Sequence, residues 1–288
     1  MEDVKLASTS TSIAEGKPIF GVACLDSELY VLRRRTPDIE VYGVTDYKLV
    51  RRLVVSKLRN PLDIAACVQM KRLYVVDGLD PSGKVFAAET QPTADEANSI
   101  VSWSVGEVAM NVSVTQSATV LVTCGNIAQL REFSHDGQLV RQIPLNAELV
   151  GAQHAVQLAA PDRFVVCHGW MDDTLHRVCI VDAADSSPTH VYGRHRGSAS
   201  TNSLHNASHI SVDSQRQCIF VVDMGNRRVA ALDSKLQLLT DIAVVNKKRL
   251  PSRMCLDEER CLLYVAANEW KDVFWTSGSV NVFSVVYK

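Results

Sequence analysis

Short apolar runs separated by polar turns repeat along the whole chain. The runs are rich in Val, Ile, Leu, Phe and Tyr, and residues such as Gly, Asp, Asn and Pro separate them. Alternation with a period of two, and short apolar runs between turn residues, are typical of β-strands. The 3.6-residue periodicity of amphipathic helices is nearly absent. The pattern therefore predicts an all-β fold.

Six segments of the chain share one motif, in which a short strand, a tight turn and an apolar strand with a polar end follow one another. Equivalent positions in the first strands lie 42 to 55 residues apart. That spacing is close to the ~40–50 residues of a four-stranded propeller blade. The segments are 20–33, 62–77, 110–124, 153–168, 208–223 and 252–267, and the equivalent positions are Gly21, Asp63, Asn111, His154, His209 and Arg253.

The repeat predicts one domain, 1–288, folded as a six-bladed β-propeller with four-stranded antiparallel blades. The last blade has only three strands of its own, and residues 4–9 are predicted as a fourth strand that closes it. Such closure removes an exposed sheet edge. The blades are predicted at about 18–56, 57–106, 107–149, 150–194, 205–246 and 250–288 plus 4–9.

The fifth segment continues with a distinctive turn, in which Asp223 is followed by Asn226, Arg227, Arg228 and Val229. This turn resembles the signature of NHL repeats, and the chain is similar to the C-terminal propeller of tripartite-motif (TRIM-NHL) proteins. The resemblance implies a recognition module for RNA or protein partners. Because related six-bladed propellers include lyases and lactonases, the fold alone does not select the function.

The formal net charge of −2 excludes a bulk polycation, so nucleic-acid binding would need a local basic patch. In a propeller, the loops between second and third strands and the loops between blades share one face, here called the top face. Basic residues are predicted to dominate it, with two tryptophans available for stacking, which suits RNA or a protein partner. The other interpretation is ordinary solvated loops. The predicted binding residues are Arg33, Arg34, Arg35, Arg194, Arg196, Lys247, Lys248, Arg249, Trp170 and Trp270.

A small-molecule hydrolase or lyase is the alternative function, with its site at the mouth of the central channel. A histidine there would act as a base, with a carboxylate to orient it and an arginine to hold an anionic substrate. Histidines near the axis could also hold a divalent metal, and no other cofactor is expected. Structural polar pairs would give the same pattern. The catalytic candidates are His154, His209, Asp63, Asp223 and Arg253, and the metal candidates are His154, His168 and His209.

Three features indicate a cytoplasmic protein without a membrane partner. No run approaches the ~20 apolar residues of a membrane span. The first 18 residues lack the basic and apolar regions of a secretory signal. None of the eight cysteines forms a CxxC pair, which favours buried free thiols.

Overall fold

The structure, a computed structural model, describes residues 4–55, 57–78, 81–91, 100–149, 151–160, 162–169, 175–195, 203–243, 248–272 and 274–287. These residues form 24 strands in six four-stranded antiparallel sheets. The predicted all-β propeller with six four-stranded blades is therefore confirmed. Within the described residues, the single helical element is a 3-10 turn, Ala147–Leu149, and no helix is long and apolar enough to cross a bilayer.

The first strand of the chain belongs to the last blade, and the next twelve strands form blades one to three in chain order. They are β1 (Val4–Gly16), β2 (Ile19–Leu25), β3 (Glu28–Arg33), β4 (Asp38–Gly43), β5 (Leu49–Val54), β6 (Pro61–Cys67), β7 (Arg72–Asp77), β8 (Lys84–Glu89), β9 (Val101–Ser104), β10 (Ala109–Val114), β11 (Val120–Cys124), β12 (Gln129–Phe133) and β13 (Leu139–Pro144).

Blades four and five contain four consecutive strands each, and blade six adds three strands to β1. They are β14 (Ala152–Gln157), β15 (Arg163–His168), β16 (Leu175–Asp182), β17 (Pro188–His195), β18 (Ala207–Asp213), β19 (Cys218–Asp223), β20 (Arg228–Leu232), β21 (Leu238–Ala243), β22 (Arg249–Asp257), β23 (Leu262–Lys271) and β24 (Phe274–Tyr287).

The N-terminal strand closes the last blade, as predicted. β1 pairs antiparallel with β24, with Val4 opposite Tyr287 and Ile13 opposite Val280. The strand is longer than residues 4–9 and has a register shift between Ser8 and Ser12. This pairing covers the edge that β24 would otherwise expose.

The hydrophobic core lies between the blades as six clusters, each shared by two neighbouring sheets. Strand β7 illustrates why the second strand of a blade is apolar at successive positions. Leu73 and Val75 pack toward blade one, whereas Tyr74 and Val76 pack toward blade three. Because side chains of a strand alternate between the two faces, a sheet covered on both faces needs apolar residues at successive positions.

The first strands of the six blades contact one another in a closed ring around the channel, in the order β2, β6, β10, β14, β18, β22 and back to β2. Each has a β-bulge at the same place, directly before the position aligned with Asp63. The loop after each second strand returns to the start of the first strand, as the Arg34 N–H bond to the Pro18 carbonyl (2.9 Å) shows. That end is the top face.

Candidate functional site

The bulges bring polar side chains from five blades into one layer across the channel. This polar layer consists of Asp63, Asn111, His154, His209 and Arg253, and blade one contributes Gly21 at the equivalent position. Asp63 is fully buried, and its Oδ2 accepts the Val112 backbone N–H at 3.1 Å.

Asp63 lies between two cationic or protonatable neighbours. Its Oδ1 is 3.5 Å from His209 Nε2 and 3.5 Å from Arg253 Nε. Burial opposes ionisation of Asp63, but His209 and Arg253 outweigh it and hold its pKa below the usual value. Burial also lowers the pKa of His209, partly offset by Asp63, and lowers the pKa of Arg253. The layer therefore contains a compensated Asp63–Arg253 pair.

His154 is fixed by the backbone around it. Its ring stacks on His209 with 3.9 Å between centroids and 11° between planes. The Ile210 N–H donates to Nδ1 at 3.1 Å, and Nε2 faces the Val112 carbonyl at 3.4 Å. Nδ1 is thus an acceptor, and the proton lies on Nε2. Burial, together with His209, lowers the pKa of His154 well below its usual value, so the ring is neutral.

Asp63, His154 and His209 could hold a metal ion, since one ligand atom from each lies within 4.8 Å of the others. Two features work against this in the present geometry. Both nitrogens of His154 face backbone partners, and parallel stacked rings direct their lone pairs along parallel lines rather than at one ion. His168, at the end of β15, lies outside this group.

Two cavities of similar size lie on opposite sides of the polar layer. The lower cavity, about 240 Å³, is lined by residues that follow the layer along the first strands, with His154 and His209 in its wall. The upper cavity, about 250 Å³, is lined by residues at and before the bulges, with Arg253 in its wall. The layer therefore separates the two ends of the channel.

The upper cavity has mainly apolar walls. Each bulge turns one extra residue toward it, and in blades one to three these residues are Phe20, Leu62 and Met110. Polar residues occupy the same place in blades four to six. The remaining lining residues are Ile19, Gln153, Asn206, Ser208, Met224, Ser252, Arg253, Asn268, Trp270 and Trp275.

A long hairpin of blade six borders this cavity. β23 and β24 continue their pairing as far as Trp270–Trp275 and Lys271–Phe274. The two tryptophans meet edge to face with centroids 4.7 Å apart. Trp270 is 41% exposed and Phe274 is 64% exposed. The hairpin, here called the aromatic hairpin, thus presents unburied aromatic surface at the top face.

Asp223, a predicted catalytic residue, has a different set of partners. It is fully buried and accepts hydrogen bonds from the His205 N–H, Asn226 Nδ2 and Arg228 Nε, each at 2.8 Å. These bonds join the end of β19 to the loop that leads into β18. Asp77 does the same in blade two, where it accepts the backbone N–H of Arg59. In this position the carboxylate braces its own blade.

Two of the predicted basic binding residues are engaged inside the fold. Arg33 is only 5% exposed, pairs with Glu40 at 2.8 Å and donates to the carbonyls of Lys17 and Ala14. Arg249 pairs with Glu15 at 2.8 Å. Neither guanidinium reaches out from the top face in this structure.

Other predicted binding residues remain at the surface. Arg35 and Lys248 are exposed. Arg34 is half-buried, and its guanidinium lies over the Phe20 ring, 5.4 Å from the centroid. Of Arg194 only the backbone, in β17, is described. Trp170, Arg196 and Lys247 lie outside the described residues.

Sequence reasoning missed the apolar residues of the upper cavity. Phe20, Leu62 and Met110 were not singled out, because a strand pattern does not show which residue a bulge turns inward. A signal was present, since each directly precedes an aligned channel position. Trp275 and Phe274 were also missed, although they follow Trp270 within a few residues.

Comparison with known proteins gives a fold and no family. No protein-family model matches the chain, and no curated protein matches it in sequence. Solved structures do match, among them a hydrazine synthase chain from Kuenenia stuttgartiensis. That match is 12% identical, covers 93% of this chain and 97% of the other, and has a TM-score of 0.62. At this identity the likeness concerns the fold alone.

Proposed function

We propose that this propeller is a recognition module that binds a protein partner through its top face. The observation that carries the proposal is the aromatic hairpin beside an open apolar cavity on that face. Interface centres are enriched in aromatic residues, and the strongest contacts form where one side chain enters a pocket of the partner. Propellers commonly serve as interaction scaffolds, which agrees with this assignment.

The ion pairs of the top face favour a protein over RNA. Besides Arg33 and Arg249, Arg177 pairs with Glu148 at 3.1 Å, and Arg228 pairs with Asp223 at 2.8 Å and with Asp241. RNA affinity comes largely from cations that neutralise phosphates and release counterions. An arginine that already has a carboxylate partner contributes less to that effect.

RNA binding is the second candidate, and exposed bases support it. Arg35, Lys57, Arg59 and Arg227 are exposed in loops of the top face. Exposed Trp270 could stack on a base beside them. The combination resembles the basic, aromatic surface that single-stranded RNA prefers.

We further propose that the blades are related to NHL repeats. The support lies in the turn after β19, where the motif residues bond to one another. Asn226 and Arg228 both donate to Asp223, which explains why a turn of this shape needs an acid, an amide and a base at that spacing.

All eight cysteines are free thiols, which supports a reducing compartment such as the cytosol.

The hydrolase or lyase alternative rests on the Asp63–His209 contact at 3.5 Å. Two observations oppose it. Asp63 is fully buried. Arg253 is already engaged, because it lies 3.5 Å from Asp63 and donates hydrogen bonds to the carbonyls of Ser252 and Leu62. A general base must reach the proton of a bound substrate. The neutral, backbone-bonded His154 favours a structural role for the layer.

Selection from a random dodecapeptide phage library on the immobilised protein tests the proposal. We expect enriched peptides that lose binding to the Trp270→Ser/Phe274→Ser double variant. The matched control is Leu49→Ser/Val50→Ser, which removes exposed apolar side chains from outer strand β5. Peptides should bind this control as they bind the unaltered protein.

Two outcomes would overturn protein recognition by the top face. One is no enrichment, and the other is enrichment that both double variants retain equally. A random RNA pool, selected in parallel, decides for the second candidate. RNA that binds less tightly to Arg35→Glu/Arg59→Glu, with a reduced salt dependence, would assign the face to RNA.

A further inference from the structure

We propose that the upper cavity takes one bulky apolar side chain of an acidic peptide, and that a carboxylate beside this anchor pairs with Arg34. The inference rests on the proposed function and specifies the chemistry of the partner. Three observations support it: the size of the cavity, the charge at its edge and the position of the aromatic hairpin.

The size of the cavity suits a single side chain. Its volume is about 250 Å³, below the ~300–1,000 Å³ of pockets that enclose drug-sized ligands. Phe20, Leu62, Met110 and Trp275 supply apolar walls. A bulky aliphatic or aromatic side chain would gain most by leaving water there, at about 25 cal/mol per Å² of apolar surface.

The charge at the edge of the cavity suits an acidic partner. Arg253 is the one ionic side chain among the described lining residues, so no carboxylate faces the cavity within that set. Arg34 stands at the edge, over Phe20. Arg253 is already engaged by Asp63 and by two backbone carbonyls. Arg34 is half-buried and its Nε–H has no hydrogen-bond partner among the described residues, so its guanidinium can pair with an incoming carboxylate.

The aromatic hairpin holds one wall of the cavity in place before a partner binds. Trp270 lines the cavity and is held edge to face by Trp275 at 4.7 Å. A side chain held in its binding position loses little conformational entropy when the partner arrives. Phe274, on the same hairpin, does not line the cavity.

Fluorescein-labelled synthetic peptides provide the direct test. The probe is an eleven-residue peptide with Glu and Gly around a central Trp, Phe or Leu, measured by fluorescence anisotropy at 150 mM salt. Matched peptides carry Ala at the centre, or Lys in place of every Glu. We expect both replacements to weaken binding at least about tenfold, since each removes one of the two proposed contacts.

Variants of the protein locate the binding site. Trp270→Ala and Phe20→Ala should each weaken binding at least about tenfold, and Arg34→Glu should do the same and flatten the salt dependence. Leu139→Ala, at an exposed apolar side chain of outer strand β13, and Lys48→Glu are the controls and should stay within about twofold. Lys48 is exposed on the opposite face and matches the charge change of Arg34→Glu. Circular dichroism shows which variants are folded.

The outcomes separate this inference from the proposed function. Equal affinity for Ala-centred peptides, or unchanged affinity in both Trp270→Ala and Phe20→Ala, overturns the cavity inference. If library peptides then still depend on the aromatic hairpin, protein recognition stands and only the anchor chemistry is wrong. If no peptide depends on the hairpin, both fail.

Discussion

The upper cavity lies directly above the polar layer in the channel, yet the two regions differ in how fully their side chains are engaged inside the protein. In the layer, Asp63, His154 and Arg253 find most of their partners inside the channel. In the cavity, Trp270 and the neighbouring Phe274 keep large apolar areas in water. The layer holds the residue types usual in catalysis, and the cavity holds those usual in core packing.

Residue type alone therefore does not locate function in this molecule. Buried charges are costly unless they are paired, so a group like Asp63 needs partners merely to be there. Exposed aromatic surface beside a concave opening has no comparable structural reason. This contrast supports the proposal that a partner binds at the cavity and not in the layer.

The largest expected effect comes from removing one charge of the layer. Arg253→Met should lower the free energy of unfolding by about 3–5 kcal/mol, because Asp63 is left buried without its cation. Urea unfolding followed by fluorescence measures it. The double variant Arg253→Met/Asp63→Asn should recover most of the loss. A cost below about 1 kcal/mol for the single variant would show that the pair does not hold the layer together.

A smaller effect is expected from pH. The folded protein keeps His154 neutral because its pKa is lowered, whereas the unfolded chain takes up a proton near pH 6.5. The free energy of unfolding should therefore fall as pH drops from about 7 to 5, by up to about 1.4 kcal/mol per pH unit for this group. His154→Gln should have a shallower slope. Equal slopes in both proteins would assign the pH dependence to other histidines.

The smallest effect is expected at the hairpin tip. Phe274→Ser should change the free energy of unfolding by no more than about 0.5 kcal/mol, because the side chain is mostly in water. Thermal unfolding monitored by circular dichroism is sufficient to test it. A loss above about 1.5 kcal/mol would mean that Phe274 stabilises the fold, and the contrast between cavity and layer would weaken.

Much of the fold could be predicted, because the pattern that reveals it is local. A strand such as β7, apolar at successive positions, indicates burial on both faces wherever it occurs. The alignment of the channel positions agrees with the structure, because every blade has its bulge at the same place and the spacing is preserved. Asp63, His154, His209 and Arg253 accordingly come together as their alignment suggests.

The properties of those residues could not be predicted, because they depend on partners distant in the chain. The Ile210 N–H that bonds to His154 lies 56 residues away, and the Glu15 that pairs with Arg249 lies 234 residues away. The loop charges that suggested a basic face are therefore partly neutralised. Local patterns show where a side chain lies more readily than what it contacts.

The pairing of β1 with β24 has a consequence for synthesis on the ribosome. β1 emerges before β24, which follows only after the intervening blades, roughly 15–50 s later at about 5–20 residues per second. Throughout that interval β1 lacks β24, the strand it pairs with in the folded protein. Its middle, Ser8 to Ser12, alternates serine and threonine rather than large apolar residues. This composition lowers the risk that the nascent chain aggregates before the ring closes.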